Sequence, residues 1–153
     1  MLMPKDSKPA DIKYRFYIDK SGNWFQDGIK IRHRGTYLYN NRLLDTDEKG
    51  RFYLDEGSGK LYIEVEDTPF VVKMVHKRED VFYLRLNDET EEALDFTTLR
   101  MSAENVPYAR VKNGKYEARF TRPAYYELMK YADKDKDAYF IELGGVKHYI
   151  KRS

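Results

Sequence analysis

Residues 61–75 read LYIEVEDTPFVVKMV, the longest strongly β-prone run in the chain. Leu61, Ile63 and Val65 alternate with Tyr62, Glu64 and Glu66, the period of a half-buried antiparallel strand. Pro69 has no N–H to give a ladder, so Asp67, Thr68 and Pro69 predict a bend, after which 70–76 resumes the strand. A hairpin–helix–hairpin pattern can be read on either side. The stretch therefore carries the chain from one half of the molecule to the other.

Upstream, residues 1–12 hold two prolines and little apolar content, and predict a mobile tail. Residues 13–18 alternate, with Tyr14, Phe16 and Ile18 on one face. Trp24 and Phe25 make a short strand that turns at Asp27-Gly28 and returns over 29–31. Residues 34–44 predict a helix, although Asn40 and Asn41 are poor helix formers. A polar turn over 45–50 and two strands, 51–55 and 60–66, complete the first unit, assigned to 13–67.

Downstream, 68–106 predicts connecting antiparallel strands. These are 70–76, then 81–87 with Phe82, Leu84 and Leu86 inward, then 93–101 after an acidic turn. The second unit is assigned to 107–153. Strands 108–112 and 115–120 flank Asn113-Gly114, a strong hairpin signal. Thr121 is placed to cap a helix carrying Pro123 in its first turn, and Tyr125, Leu128, Met129 and Ala132 form its apolar stripe. Residues 133–137 end that helix, and a closing hairpin over 138–151 turns at Gly144-Gly145.

A shift of 88 positions places Arg34 on Arg122, Tyr37 on Tyr125, Asp45 on Asp133 and Phe52 on Phe140. Together with the repeated order of elements, this predicts an α+β fold of internally duplicated hairpin–helix–hairpin units with antiparallel sheets.

Composition narrows the chemistry. Fourteen Tyr and eight Phe supply enough large side chains to close a core without staples. The absence of cysteine removes disulfides, thiolate catalysis and zinc–thiolate sites. With 28 basic and 26 acidic residues the chain carries no strong field, so nucleic acid is not indicated by charge. No apolar run approaches the ~18 residues of a membrane span, and the first residues lack a signal-peptide core. A soluble cytoplasmic protein is expected.

His33, His76 and His148 stand far apart without metal-ligand spacing, and no phosphate-cradling glycine motif or nucleophile elbow occurs. Two acidic turns mimic calcium loops. In the first, which starts at Asp45, Lys49 puts a cation where an oxygen ligand belongs. In the second, starting at Asp133, Ala138 replaces the glycine. No metal or cofactor is expected. Glu64 and Glu66 share one strand face next to Asp67, the arrangement an acid–base enzyme would need if a cleft enclosed them. The plainer reading is a polar sheet face.

Three blocks carry a family resemblance: residues 22–32 (GNWFQDGIKIR), residues 63–70 (IEVEDTPF), and residues 107–114 (PYARVKNG) with 122–128 (RPAYYEL). They resemble an uncharacterised bacterial family, domain of unknown function 1285, from about residue 14 to the end. The chain departs from the family pattern at Asp55-Glu56-Gly57-Ser58-Gly59 and in a more polar first helix. The resemblance implies a duplicated α+β core, a C-terminal half loosely like a pleckstrin-homology fold, a site where the halves meet, and a role in signal transduction.

The function expected is a non-enzymatic binding or regulatory module for an unknown small ligand or protein, with a second copy of the chain among the open partners. Its alternatives are an enzyme acting through Glu64, Glu66 or Asp67, and a weak nucleic-acid-binding domain. The candidate binding residues are Trp24, Arg34, Glu66, Asp67, Phe70 and Arg122, each large or charged and standing at a turn, a helix start or the bend. Arg34 and Arg122 open helices, where they would assist an N-terminus in holding an anion or pair with Glu66 or Asp67.

Overall fold

The structure is a computed structural model that describes residues 14–153, and the tail expected over 1–12 lies outside the described residues. The fold is mixed α+β, mostly sheet with two α-helices. It divides into two compact units, the second beginning at Phe70.

In the first unit, β1 (Phe16–Ile18), β2 (Trp24–Gln26) and β3 (Ile29–Lys30) form an antiparallel ribbon. The Asp27-Gly28 turn has φ of 49° and 84°, the left-handed pair that a two-residue hairpin requires. Helix α1 (Arg34–Leu43) follows, capped by His33, whose Nδ1 accepts the Thr36 N–H at 3.2 Å. Next come β4 (Leu44–Thr46), β5 (Phe52–Asp55) and β6 (Lys60–Tyr62) as a three-stranded antiparallel sheet. The strand expected over 60–66 is split. At Ile63, whose N–H still donates to the Phe52 carbonyl, the chain leaves that sheet. It continues as β7 (Glu64–Val65), which pairs in parallel with β1. Two short strands in two sheets replace one, so the alternation read from 61–66 is interrupted by a change of partner.

In the second unit, β8 (Phe70–Arg78), β9 (Val81–Leu86), β10 (Glu91–Ala93), β11 (Arg100–Met101), β12 (Pro107–Val111), β13 (Tyr116–Phe120) and β17 (Lys151–Arg152) make one seven-stranded sheet. Its order is β10-β9-β8-β13-β12-β11-β17, with β13 parallel to β8 and β17 parallel to β11. Both units thus contain mixed sheets rather than the antiparallel ones expected. Val71, Val72, Phe82, Leu84, Leu86, Val111, Ala118 and Phe120 are buried. The strand expected over 93–101 is broken by a 3-10 helix, Phe96–Thr98, because the Asp95 carboxylate accepts both the N–H and the hydroxyl of Thr97.

Helix α2 (Arg122–Met129) begins as the sequence predicts, with Thr121 Oγ1 accepting the Ala124 N–H. It ends before Ala132, which opens β14 (Ala132–Asp135). The buried pair on the helix is therefore Ala124 and Leu128. Strands β15 (Ala138–Leu143) and β16 (Val146–Tyr149) complete a three-stranded sheet with β14. The β12–β13 turn also differs from its prediction. Val111 pairs with Tyr116, and Lys112, Asn113 and Gly114 all take left-handed φ of 57°, 58° and 78°, giving a four-residue loop.

Candidate functional site

A cavity of about 460 Å³ opens within the second unit, inside the roughly 300–1,000 Å³ range of small-molecule sites. It forms where the two sheets of that unit share a strand connection. Ile150 stands between β16 and β17, and its N–H donates to the Tyr139 carbonyl at 2.9 Å. One residue later the chain joins the other sheet, where Met101 and Arg152 are register partners. Met101, Ala138, Tyr139 and Ile150 give the apolar lining. The β14–β15 turn contributes Asp135, Lys136 and Asp137, and Arg152 supplies the remaining charge.

The polar groups are partly committed. Arg152 Nη1 donates to Asn105 Oδ1 at 2.7 Å and to the Ser102 carbonyl at 3.3 Å, so the β11–β12 loop fixes one end of the guanidinium. That loop is itself closed by the Ser102 and Val106 backbone pair and by the Val106 N–H on Ser102 Oγ. Asp135 Oδ2 accepts the Tyr149 hydroxyl at 3.0 Å, and this hydrogen bond, with burial, raises the Tyr149 phenol.

None of the six residues singled out in the sequence lines this cavity. Trp24, Arg34, Glu66 and Asp67 belong to the first unit, Phe70 and Arg122 to the second. Trp24 is 2% exposed, donates its indole N–H to Asn41 Oδ1, and meets the Phe16 ring edge-on. Phe70 is 3% exposed and packs against the Tyr116 ring at 5.1 Å, with Lys112 Nζ over its face. Both are core residues. Arg34 and Arg122 are exposed first residues of α1 and α2, and Asp67 is exposed at the bend.

Glu66 is held within its unit, with Oε1 accepting the Lys20 N–H at 2.9 Å. Burial pushes the Tyr17 phenol well above its ordinary range, and the Glu66 carboxylate, to which it is hydrogen-bonded, pushes it further. Glu64, the register partner of Tyr17, has Oε2 buried with no hydrogen-bond partner among the described residues.

Asp47 of the first acidic turn and Asp135 of the second have carboxylates engaged by neighbouring residues. Desolvation pulls the Asp47 carboxyl up. The Arg51 N–H, the Tyr62 hydroxyl and the Arg51 guanidinium outweigh it and hold the group at about 2. Among the described residues no group of three or more His, Cys, Asp or Glu could hold a metal, and no helix is long and apolar enough to cross a membrane. His33 caps α1, His76 contacts Glu91 at 3.2 Å, and His148 stacks on Phe96 with centroids 4.5 Å apart.

The turn over 133–137 was visible in the sequence, but as a failed calcium loop. Nothing in its spacing pointed to Met101 or Arg152, which reach it only through the parallel β11–β17 pairing.

No protein-family model matches the chain, and no curated protein matches its sequence. Solved structures do. A DUF1285 family protein from Silicibacter pomeroyi DSS-3 aligns with a TM-score of 0.72 at 20% identity, covering 97% of this chain and 90% of that one. A DUF1285 family protein from Shewanella baltica OS155 aligns with a TM-score of 0.64 at 16% identity, covering 76% of this chain and 91% of that one. The fold of this chain is the fold of these DUF1285 proteins.

Proposed function

We propose that the protein is a non-enzymatic binding module whose second unit takes up a small molecule, with occupancy serving a regulatory role of the signal-transduction kind. The observation that carries this reading is the cavity of about 460 Å³, where an apolar lining meets a small set of charged side chains. An enzyme working through Glu64, Glu66 and Asp67 is less favoured, because Glu66 is already engaged by Lys20 and Tyr17.

Residues 16–65 and 100–152 are read as copies of one ancestral motif. Each runs as a strand, a hairpin, a helix, three antiparallel strands and a last strand returning in parallel to the first. In each, a buried isoleucine, Ile63 or Ile150, marks the crossing between sheets. Superposing 16–65 on 100–152 tests this, and a fit that cannot keep Ile63 on Ile150 removes it.

The functional test is a thermal-shift screen with nucleotides, cyclic dinucleotides and metabolites, followed by amide mapping of each hit. A ligand of this site raises Tm by mass action and moves the signals of Met101, Ala138 and Ile150. A complete screen without such a hit sinks the proposal.

A further inference from the structure

Resting on the binding reading above, we infer that the cavity recognises a small zwitterion with an apolar body, of the class of a free α-amino acid with a hydrophobic side chain. Arg152 carries the first half of the inference. Its Nη1 is spent on Asn105 and Ser102, which fixes the guanidinium. Nε and Nη2 have no partner among the described residues, and together they form the planar fork that binds a carboxylate with two parallel hydrogen bonds.

The β14–β15 turn carries the second half. Asp137 has no partner among the described residues, and Asp135 has committed only Oδ2, to Tyr149. These carboxylates lie on the same cavity wall system as Arg152, so an anion alone would meet repulsion and a cation alone would meet the guanidinium. A ligand carrying both charges satisfies both sets. Met101, Ile150 and the Tyr139 ring then take its apolar body, removing it from water. The formal charges lining the cavity (Asp135, Asp137, Lys136 and Arg152) cancel, as a net-neutral ligand requires.

The test compares three probes with one body: L-phenylalanine, 3-phenylpropanoate and 2-phenylethylamine. Each is titrated into the full ¹⁵N-labelled chain. The expected result is saturable movement of the Met101, Ala138 and Ile150 amides, with L-phenylalanine bound at least about fivefold more tightly than either single-charge analogue. Arg152→Gln should abolish its advantage over the amine, Arg152→Lys should recover only part of it, and Asp137→Asn should abolish its advantage over the acid. Asp137 is exposed, so its variant should melt with wild type. Asn105→Ala, which removes an Arg152 contact but keeps the guanidinium, controls for the loss of the loop bonds in Arg152→Gln by retaining the preference for L-phenylalanine.

Equal affinity for the three probes overturns the inference, as does L-phenylalanine binding that ignores Arg152→Gln. If no phenyl probe binds while another screened compound maps onto the cavity, the binding reading stands and the zwitterion assignment falls. If nothing reaches the cavity, both fall.

Discussion

The indole N–H of Trp24 donates to the side-chain oxygen of Asn41, joining the only tryptophan of the chain to the last turns of α1. Both side chains are buried. An asparagine that weakens the helix locally is thus retained where a core tryptophan needs an acceptor.

Replacing Asn41 by Leu leaves that N–H buried and unmet, and should lower stability by about 1–3 kcal/mol in urea unfolding. Trp24→Phe in the same background should recover part of the loss, because no donor remains to be orphaned. Equal stability of Asn41→Leu and wild type would remove the role assigned to the bond.

Lys112 is held through both its side chain and its backbone. Its Nζ donates to Asp88 Oδ2 at 2.6 Å, and its backbone N–H donates to the Glu92 carboxylate at 3.1 Å. Burial pulls the Asp88 carboxyl up, but Lys112 and Thr90 prevail and depress it. A depressed folded value contributes stability that is fully present above the ordinary carboxylate range near 4 and drains away as the pH falls through the folded value. Lys112→Met should flatten that acid limb of the stability–pH curve. Lys112→Gly should do so too, while relieving the left-handed backbone at φ 57°. An unchanged acid limb in both variants would exclude the pair as its source.

The Asp47 carboxyl should titrate at about 2 in a carbon-detected NMR titration, well below the ordinary aspartate value. Tyr62→Phe, which removes one of its donors, should raise that midpoint. An ordinary midpoint in the wild type would mean that the turn does not hold its donors in solution.

Glu66→Gln keeps an acceptor for the Lys20 N–H but removes the negative charge beside Tyr17. The Tyr17 phenol should then ionise at lower pH in an ultraviolet titration, yet still above an exposed tyrosine, because burial is the larger cause. For this acid, a raised folded value stabilises below the ordinary tyrosine range near 10 and is lost as the pH rises through the folded one. No movement of the Tyr17 titration would sever it from Glu66.

Thr121→Ala should destabilise by about 1 kcal/mol, because the Ala124 N–H loses its cap, and Thr121→Ser should restore most of that. Thr121 Oγ1 also reaches the Lys73 carbonyl at 3.3 Å, so a loss at the upper end of the range is expected.

Three local signals in the sequence, each set by a few adjacent residues, match the structure, whereas the equally local Asn113-Gly114 turn and the Asp95-Thr97 break do not. Asp27-Gly28, the Thr121 cap with Pro123, and the alternation of Phe82, Leu84 and Leu86 all appear where the pattern places them. Events decided by distant partners were illegible. The crossings at Ile63 and Ile150 look like uninterrupted strand, since both sides of each crossing are extended and only the hydrogen-bonding neighbour changes. The same blindness hid the cavity, whose wall joins Met101 to Arg152 across most of the second unit. Trp24 and Phe70 stand out in the sequence by size, and size is also what fills a core.

The parallel docking of β17 on β11 also has a kinetic meaning. Arg100 reaches Ser153, 53 positions away, so pairing this strand closes a loop that contains a hairpin, a helix and a three-stranded sheet. Contacts of such separation slow folding, and the loop entropy must be met before they return anything. Closing the cavity wall that contains Arg152 therefore carries a large loop-entropy cost, and a molecule bound across that wall would help to hold the two distant ends of the chain together.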